Sequence, residues 1–275
     1  MRRIAILALK EMRDGLRNRW VIAITFLLAV FSLTLAFLGA APTGLVKVTP
    51  LAVTVVSLSS LTVFLLPLIA LLVSYDAIVG EVDRGTMALL LTYPVSRPQV
   101  VLGKFIGHAL ILAFATCMGY GVAGVAVALT GGGDAEAWRA FAALIATSVL
   151  LGGAFIAIGY LVSALVRDRG TAGGIAIGVW LLFVLVYDMA LLGILVADQG
   201  RHLDAGLLNW LLLLNPADAF RLVNLTGVPG ISRFSGMSGL AEQARLTPPI
   251  LLSAMLLWVV LPLGAAMTLF SRREL

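Results

Sequence analysis

The sequence predicts an all-α integral membrane protein with six transmembrane helices, forming one domain over residues 1–275. Hydrophobic residues make up 61% of the chain and charged residues only 12%, about half the charged share of a soluble domain. The mean hydropathy is +1.06, so most of the chain is expected to face lipid. Spanning the hydrocarbon takes about 20 apolar residues. Six segments reach that length: 20–39, 51–74, 105–129, 141–166, 171–196 and 248–270.

Lys and Arg are distributed unevenly between the two sides of these segments. Thirteen lie in the two termini and in the stretches after the second and fourth segments, against six on the other side. Because cytoplasmic loops carry the excess of Lys and Arg, both termini are expected in the cytoplasm. An isoelectric point near 9.8 would also suit a nucleic-acid-binding protein. The basic residues are scattered between apolar runs, however, so the bilayer is the expected partner and nucleic acid is not.

The first 19 residues predict an amphipathic helix ahead of the first span. Such a helix lies in the headgroup plane as an elbow. Apolar or small residues recur on one face and charged residues on the other: Ile4, Ala8, Met12, Gly15 and Leu16 against Arg3, Lys10, Arg13, Asp14 and Arg17.

Residues 197–247 form the predicted external loop. The apolar run 207–214 inside it is too short to cross the membrane, which favours an interfacial or re-entrant helix. Asn215 as N-cap, Pro216 in the first turn and Asp218 near the positive helix end predict a helix over 216–225. An exposed apolar helix face is stable only against membrane or protein. We therefore expect an extracytoplasmic protein to dock on Phe220, Arg221 and Leu222; the alternative is a flexible tether.

The cytoplasmic loop 75–104 carries the most specific pattern in the chain. Ser96 and Gln99 have the spacing of a capping box, and Pro98 is tolerated in a first helical turn. A helix should therefore begin near residue 97 and continue into the third span. The preceding apolar stretch 87–93 ends at Pro94 and is too short to span. It must be buried by the bundle, by lipid or by a partner subunit.

The pattern Gly-Glu81…Arg84-Gly-Thr…Tyr-Pro94-Val-Ser-Arg97…Gly-Lys104 resembles the equivalent loop of ABC-2 type permeases. That resemblance, which covers the whole chain, implies a type V exporter-like architecture in a bacterial inner membrane, a homodimer, and a separate ATPase subunit that binds ATP and Mg²⁺. It assigns ATPase coupling to seven residues: Glu81, Arg84, Gly85, Thr86, Pro94, Ser96 and Arg97. Without the resemblance, the same loop would be interpreted as an ordinary solvated loop with a helix cap.

Two further segments are similar to one branch of this family. These are Leu214-Asn-Pro-Ala-Asp-Ala-Phe-Arg221 and the ending Ser271-Arg-Arg-Glu-Leu275. The branch works with an ATPase and a periplasmic β-helix protein in the maturation of nitrous oxide reductase. The resemblance therefore implies a periplasmic partner of that kind and a role in copper or sulfur delivery.

The sequence lacks the residues that several other functions would require. No Gly-x-x-x-x-Gly-Lys-[Ser/Thr] occurs in the sequence, so a non-catalytic chain without a nucleotide or other cofactor is expected. Cys117 and Met118 are adjacent and about 100° apart on a helix, which makes them poor metal co-ligands. Asp188 is the intramembrane polar candidate. It would suit a secondary transporter or channel without an ATPase; the alternative is that the fifth span extends beyond the bilayer or that Asp188 pairs with an arginine of the external loop.

Overall fold

The computed structural model describes residues 2–38, 50–130, 133–198, 205–226 and 246–273, and every regular element in these ranges is helical. The elements in chain order are α1 Arg2–Leu16, α2 Arg19–Leu38, α3 Pro50–Ser74, α4 Val79–Asp83, α5 Thr86–Leu91, α6 Arg97–Leu129, α7 Ala135–Leu165, α8 Arg169–Leu181, a π-helical turn Leu182–Val186, α9 Tyr187–Asp198, α10 Ala205–Leu213, α11 Pro216–Thr226 and α12 Pro248–Arg272.

Six apolar helices of the described part account for the six predicted spans. Five are long continuous helices built on α3, α6, α7, α8–α9 and α12. The sixth is α2, which has 20 residues and follows α1 at a bend of 68°. The prediction of an all-α, six-span membrane protein is confirmed. With 33 and 31 residues, α6 and α7 are each longer than about 45 Å at about 1.5 Å per residue. They therefore extend beyond the hydrocarbon.

The amphipathic helix α1 packs its less polar face along the N-terminal part of α6. Leu7 and Ala8 are buried there, while Lys10 and Arg13 stay exposed. Glycines of α6 allow the close approach. A Cβ at Gly103 would lie 2.7 Å from Cβ of Leu7. The helix α1 is therefore held by α6, the predicted third span.

The long helix α7 forms the centre of the bundle between α3, α6 and α12. In its most apolar 18-residue window, 67% of the residues are buried. Gly152 and Gly159 face side chains of neighbouring helices. A Cβ at Gly159 would overlap Oγ of Ser74. These contacts fix α3 against α7 with little room for a side chain.

The helices α10 and α11 form a hairpin within the predicted external loop, where the sequence predicts an interfacial or re-entrant helix followed by a helix over 216–225. Its apex contacts the middle of two spans, because Nε1 of Trp258 donates to the Leu213 carbonyl at 3.2 Å and Nδ2 of Asn215 donates to the Phe183 carbonyl at 2.9 Å. This part of the predicted loop is therefore packed against the bundle. The rest of that loop, 199–204 and 227–245, lies outside the described residues.

Candidate functional site

The segment between α3 and α6 forms two short helices joined by a glycine turn. Gly85 has φ +71°, a left-handed conformation that glycine adopts without a steric penalty. Next to this turn, Met87 is 1% exposed and anchors α5 to the bundle. Ser163 of α7 fixes the other end, because its Oγ accepts hydrogen bonds from the backbone amides of Ile78 and Val79 at 3.0 Å. Those amides would otherwise be orphan donors at the start of α4.

Part of this segment is exposed at the surface of the protein. Five of the predicted coupling residues lie on it: Arg84, Gly85, Thr86, Pro94 and Ser96. Leu89 and Tyr93, which are 67% and 65% exposed, lie beside them. Leu89 lies on α5, and Tyr93 follows two residues after the end of that helix at Leu91. We call these seven residues the coupling surface.

Glu81, by contrast, points into the protein and pairs with Lys104 of α6. Lys104 is 4% exposed, and its Nζ lies 2.8 Å from Oε1 of Glu81 and 2.5 Å from Oε1 of Glu11. Three elements, α1, α4 and α6, therefore meet at one ammonium group. Lys104 was not predicted as a site residue. The sequence does contain a signal for this residue: a lysine, preceded by Gly103, stands at the start of an apolar span in a chain with few charges.

The Lys104 cluster continues towards α7 through a histidine. Nδ1 of His108 lies 2.9 Å from the Tyr160 hydroxyl, and its Nε2 lies 4.0 Å from Oε2 of Glu11. Burial alone would raise the pKa of Glu11. The neighbouring Lys104 ammonium outweighs burial, so that the pKa is lowered from its ordinary value of 4.5. Glu11 is therefore an anion at neutral pH, although it is largely enclosed.

Arg97 is also engaged inside the protein. Its Nη1 donates to the carbonyls of Phe270 and Ser271 at 3.2 Å and of Arg273 at 2.5 Å. These carbonyls end the last span, where a cation is favoured by the helix dipole. The capping box is present at the adjacent residue, with the Ser96 amide donating to Oε1 of Gln99 at 3.2 Å. Arg97 therefore ties the coupling surface to the end of α12.

A second charged cluster lies where the hairpin of α10 and α11 meets α9. Asp188 of α9 pairs with Arg221 of α11, and Nη1 of Arg221 also lies 3.2 Å from Oδ1 of Asp218. Oδ2 of Asp218 accepts from Asn215 at 3.1 Å, and Asn215 caps α11 by accepting from the Ala217 amide at 2.9 Å. Of the interpretations of Asp188, the structure has the pairing with an arginine of the predicted external loop.

The side chains expected to receive an external protein lie inside the bundle. Phe220 and Leu222 are 0% and 2% exposed, and α11 packs on α7 and α12. Arg221 is held by its two carboxylates. The apolar face of α11 is therefore covered by the protein itself, and a surface for an external partner has to be sought elsewhere.

Within the described residues, no group of three or more His, Cys, Asp or Glu side chains is placed to hold a metal ion. Cys117 is a free, exposed cysteine on α6.

The sequence is similar to known membrane transport proteins along its whole length. Residues 5–275 match the protein family described as ABC-2 family transporter protein. A "Probable ABC transporter permease protein NosY" of Stutzerimonas stutzeri is 46% identical over 275 residues, covering 99% of both chains. The protein of the same description from Pseudomonas aeruginosa is 48% identical over 271 residues, covering 98% of both chains.

Proposed function

We propose, since this chain belongs to the ABC-2 family of transporter proteins, that a separate ATPase subunit docks on its coupling surface and drives it. The chain is a multi-span permease of that family. Its ATP and Mg²⁺ are then held by the ATPase subunit, and both termini lie on the ATPase side of the membrane. Paired ATPase subunits require paired permeases, so the working unit is a homodimer.

The observation that carries this proposal is the contrast between the two faces of the α4–α5 segment. Its outer face presents Arg84, Leu89 and Tyr93 to the cytoplasm. Its inner face is fixed by Met87, by Ser163 and by the Glu81–Lys104 pair. A partner that pushes on the outer face would therefore move α1, α6 and α7 together.

The chemistry of the coupling surface suits a protein partner. Arginine and tyrosine, which the coupling surface presents as Arg84 and Tyr93, are two of the residue types enriched in binding hot spots. A solvated loop would gain nothing from exposing Leu89 and Tyr93 in the same place. Glu81 and Arg97 contribute indirectly, because they hold the segment from behind.

The test is a paired substitution on the coupling surface, Arg84→Glu with Leu89→Asp, in the full chain co-expressed with its ATPase subunit. We expect loss of ATPase co-purification and of permease-stimulated ATP hydrolysis, while the thermal stability of the permease is unchanged. Arg139→Glu is the matched control, since Arg139 is exposed at the opposite end of α7. Full ATPase binding by the double variant would refute the proposal.

We further propose that the system matures nitrous oxide reductase by delivering copper or a sulfur species, or by transmitting motion to a periplasmic partner. The support is the identity of 46–48% over nearly the whole chain to permeases described as NosY. The partners would then be a NosF-like ATPase and a NosD-like β-helix protein. Deleting the gene should leave nitrous oxide reductase without its copper, measured by metal analysis of the purified enzyme. A fully loaded enzyme in the deletion strain would exclude this role.

A further inference from the structure

The fifth span, Arg169–Asp198, is the least enclosed of the five long spans. Only 11% of the residues in its most apolar 18-residue stretch are buried. In its outer part, α9, Leu191 is the one buried residue. Three polar contacts join the outer half of this span to the hairpin. Nδ2 of Asn215 donates to the Phe183 carbonyl at 2.9 Å, and the Tyr187 hydroxyl donates to the Leu211 carbonyl at 2.6 Å. The third is the ion pair between Asp188 and Arg221.

The hairpin itself is fixed to the rest of the bundle by apolar burial. Phe220 and Leu212 are both 0% exposed. Nδ2 of Asn224 donates to Oγ1 of Thr147 on α7 at 3.0 Å. Packed cores of this kind resist continuous deformation. In any movement between the two, α9 is therefore the part that moves and the hairpin is the part that stays.

The π-helical turn Leu182–Val186 lies where such a movement would pivot. A π turn adds one residue to a helical turn and rotates the helix beyond it by about 100°. Here it comes directly before Tyr187 and Asp188, the two side chains that reach the hairpin. Breaks in the regular hydrogen-bond pattern are the usual positions of bends within helices.

Arg221 has two carboxylate partners, and they differ in position. Asp218 lies on the same helix and is 0% exposed, whereas the Asp188 side chain is on α9 and 24% exposed. An unpaired charge in the membrane is strongly unfavourable. If Asp188 moved away, Arg221 would keep Asp218 and would not be left unpaired. Separation would therefore leave one unpaired charge instead of two, and that charge, Asp188, is the more exposed of the two carboxylates.

We propose that the Asp188–Arg221 pair is a latch that opens and closes during the transport cycle, so that α9 swings about the π turn while the hairpin stays in place. Asp218 holds Arg221 while the latch is open. The free energy that opens the latch would come from the ATPase subunit, so this step rests on the proposed function. The three charged residues of the latch all belong to this chain.

The experiment measures the position of α9 relative to the bundle by spin-label distances. Labels are attached at Met189→Cys on α9 and at Leu129→Cys at the outer end of α6, in a Cys117→Ser background. Both sites are exposed, 73% and 84%. Labelled chains are diluted with unlabelled chains so that distances within one chain dominate. The reconstituted complex is measured without nucleotide and with the ATPase trapped by vanadate.

Two isosteric variants have opposite expected results. Asp188→Asn removes the latch charge and should move most labelled chains to the distance of the trapped state even without nucleotide. Asp218→Asn keeps the Asp188–Arg221 pair but removes the carboxylate that would pair with Arg221 in the open state. The distance between the two labels should therefore stay at its nucleotide-free value even in the trapped complex. Both variants change one carboxylate to an amide, so each is the control of the other.

Wild-type distances in Asp188→Asn without nucleotide would overturn the latch. Wild-type opening in Asp218→Asn would overturn the role of the second carboxylate. An ATPase that binds and hydrolyses ATP while the wild-type distance stays constant would also overturn the latch, but would leave the proposed function standing. Failure of the ATPase to bind would refute the proposed function, and the nucleotide-free comparison would still decide on the latch.

Discussion

Replacing Lys104 with methionine tests whether the buried ammonium holds α1, α4 and α6 together. Methionine has a similar length and an apolar tip, so the substitution removes the charge with little change of volume. Glu11 and Glu81 are then left facing each other without a cation. Each belongs to a different element, so the loss should loosen α1 and α4 from α6.

The expected magnitude depends on the burial of the three groups. Removing one partner of a buried ion pair costs about 3–5 kcal/mol. Lys104 is 4% exposed, but the side chains of Glu11 and Glu81 are 15% and 16% exposed, so water relieves part of their desolvation. We therefore expect a loss near the lower limit, about 3 kcal/mol. Glu11→Gln should cost about 1.5 kcal/mol, because Lys104 keeps Glu81 and one charged hydrogen bond is lost.

The assay is reversible unfolding of the purified permease in mixed detergent micelles, monitored by circular dichroism. A triple variant, Lys104→Met with Glu11→Gln and Glu81→Gln, is the control. It contains no unpaired charge, and replacing a whole buried ionic group with neutral residues is often close to neutral. The triple variant should therefore recover most of the lost stability. A single variant as stable as the wild type, or a triple variant as unstable as the single one, would refute the reasoning.

Three further predictions concern packing, the hairpin and pH. Gly159→Ala should lower the free energy of unfolding in the same assay by about 1–3 kcal/mol, because the new Cβ would overlap Oγ of Ser74. Gly178→Ala is the control and should leave the stability nearly unchanged, because a Cβ there would meet no atom within 4 Å. Phe220→Ala should cost about 3–5 kcal/mol, since the side chain is 0% exposed; unchanged stability would show that α11 does not pack as described. Because the pKa of Glu11 is below its ordinary 4.5, its charge stabilises the fold fully above that pH, and the stabilisation is lost as pH falls through the folded value. The stability difference between wild type and Glu11→Gln should therefore close below about pH 4.5, and a difference that widens there would contradict the sign.

The spans, the elbow and the capping box could be predicted because each depends on residues close in sequence. Hydrophobic length alone locates a membrane helix, and Ser96 with Gln99 needs only a spacing of three. The break at Pro94 likewise predicted the short helix found at Thr86–Leu91. Such signals locate elements but say nothing about which elements touch.

The partners of the charged side chains could not be predicted, because they are set by tertiary packing. Lys104 meets Glu11 across 93 residues of sequence, and Arg97 meets Arg273 across 176. The sequence pattern therefore placed Glu81 and Arg97 on a docking surface when their side chains bind internally. Phe220 and Leu222 were interpreted as exposed for the same reason, since an amphipathic helix has the same pattern against lipid, a partner or its own bundle.

The two buried clusters share one stoichiometry, a single cation between two carboxylates from different positions in the chain. Lys104 lies between Glu11 of α1 and Glu81 of α4, and Arg221 lies between Asp188 of α9 and Asp218 of α11. A simple pair would be rigid, because separating it exposes two unpaired charges to a medium that does not solvate them. In a three-membered cluster the cation would keep one partner if the other were withdrawn, so one charge would be left unpaired rather than two. The loss of one ion pair in either cluster therefore has a lower free-energy cost than the separation of a simple pair.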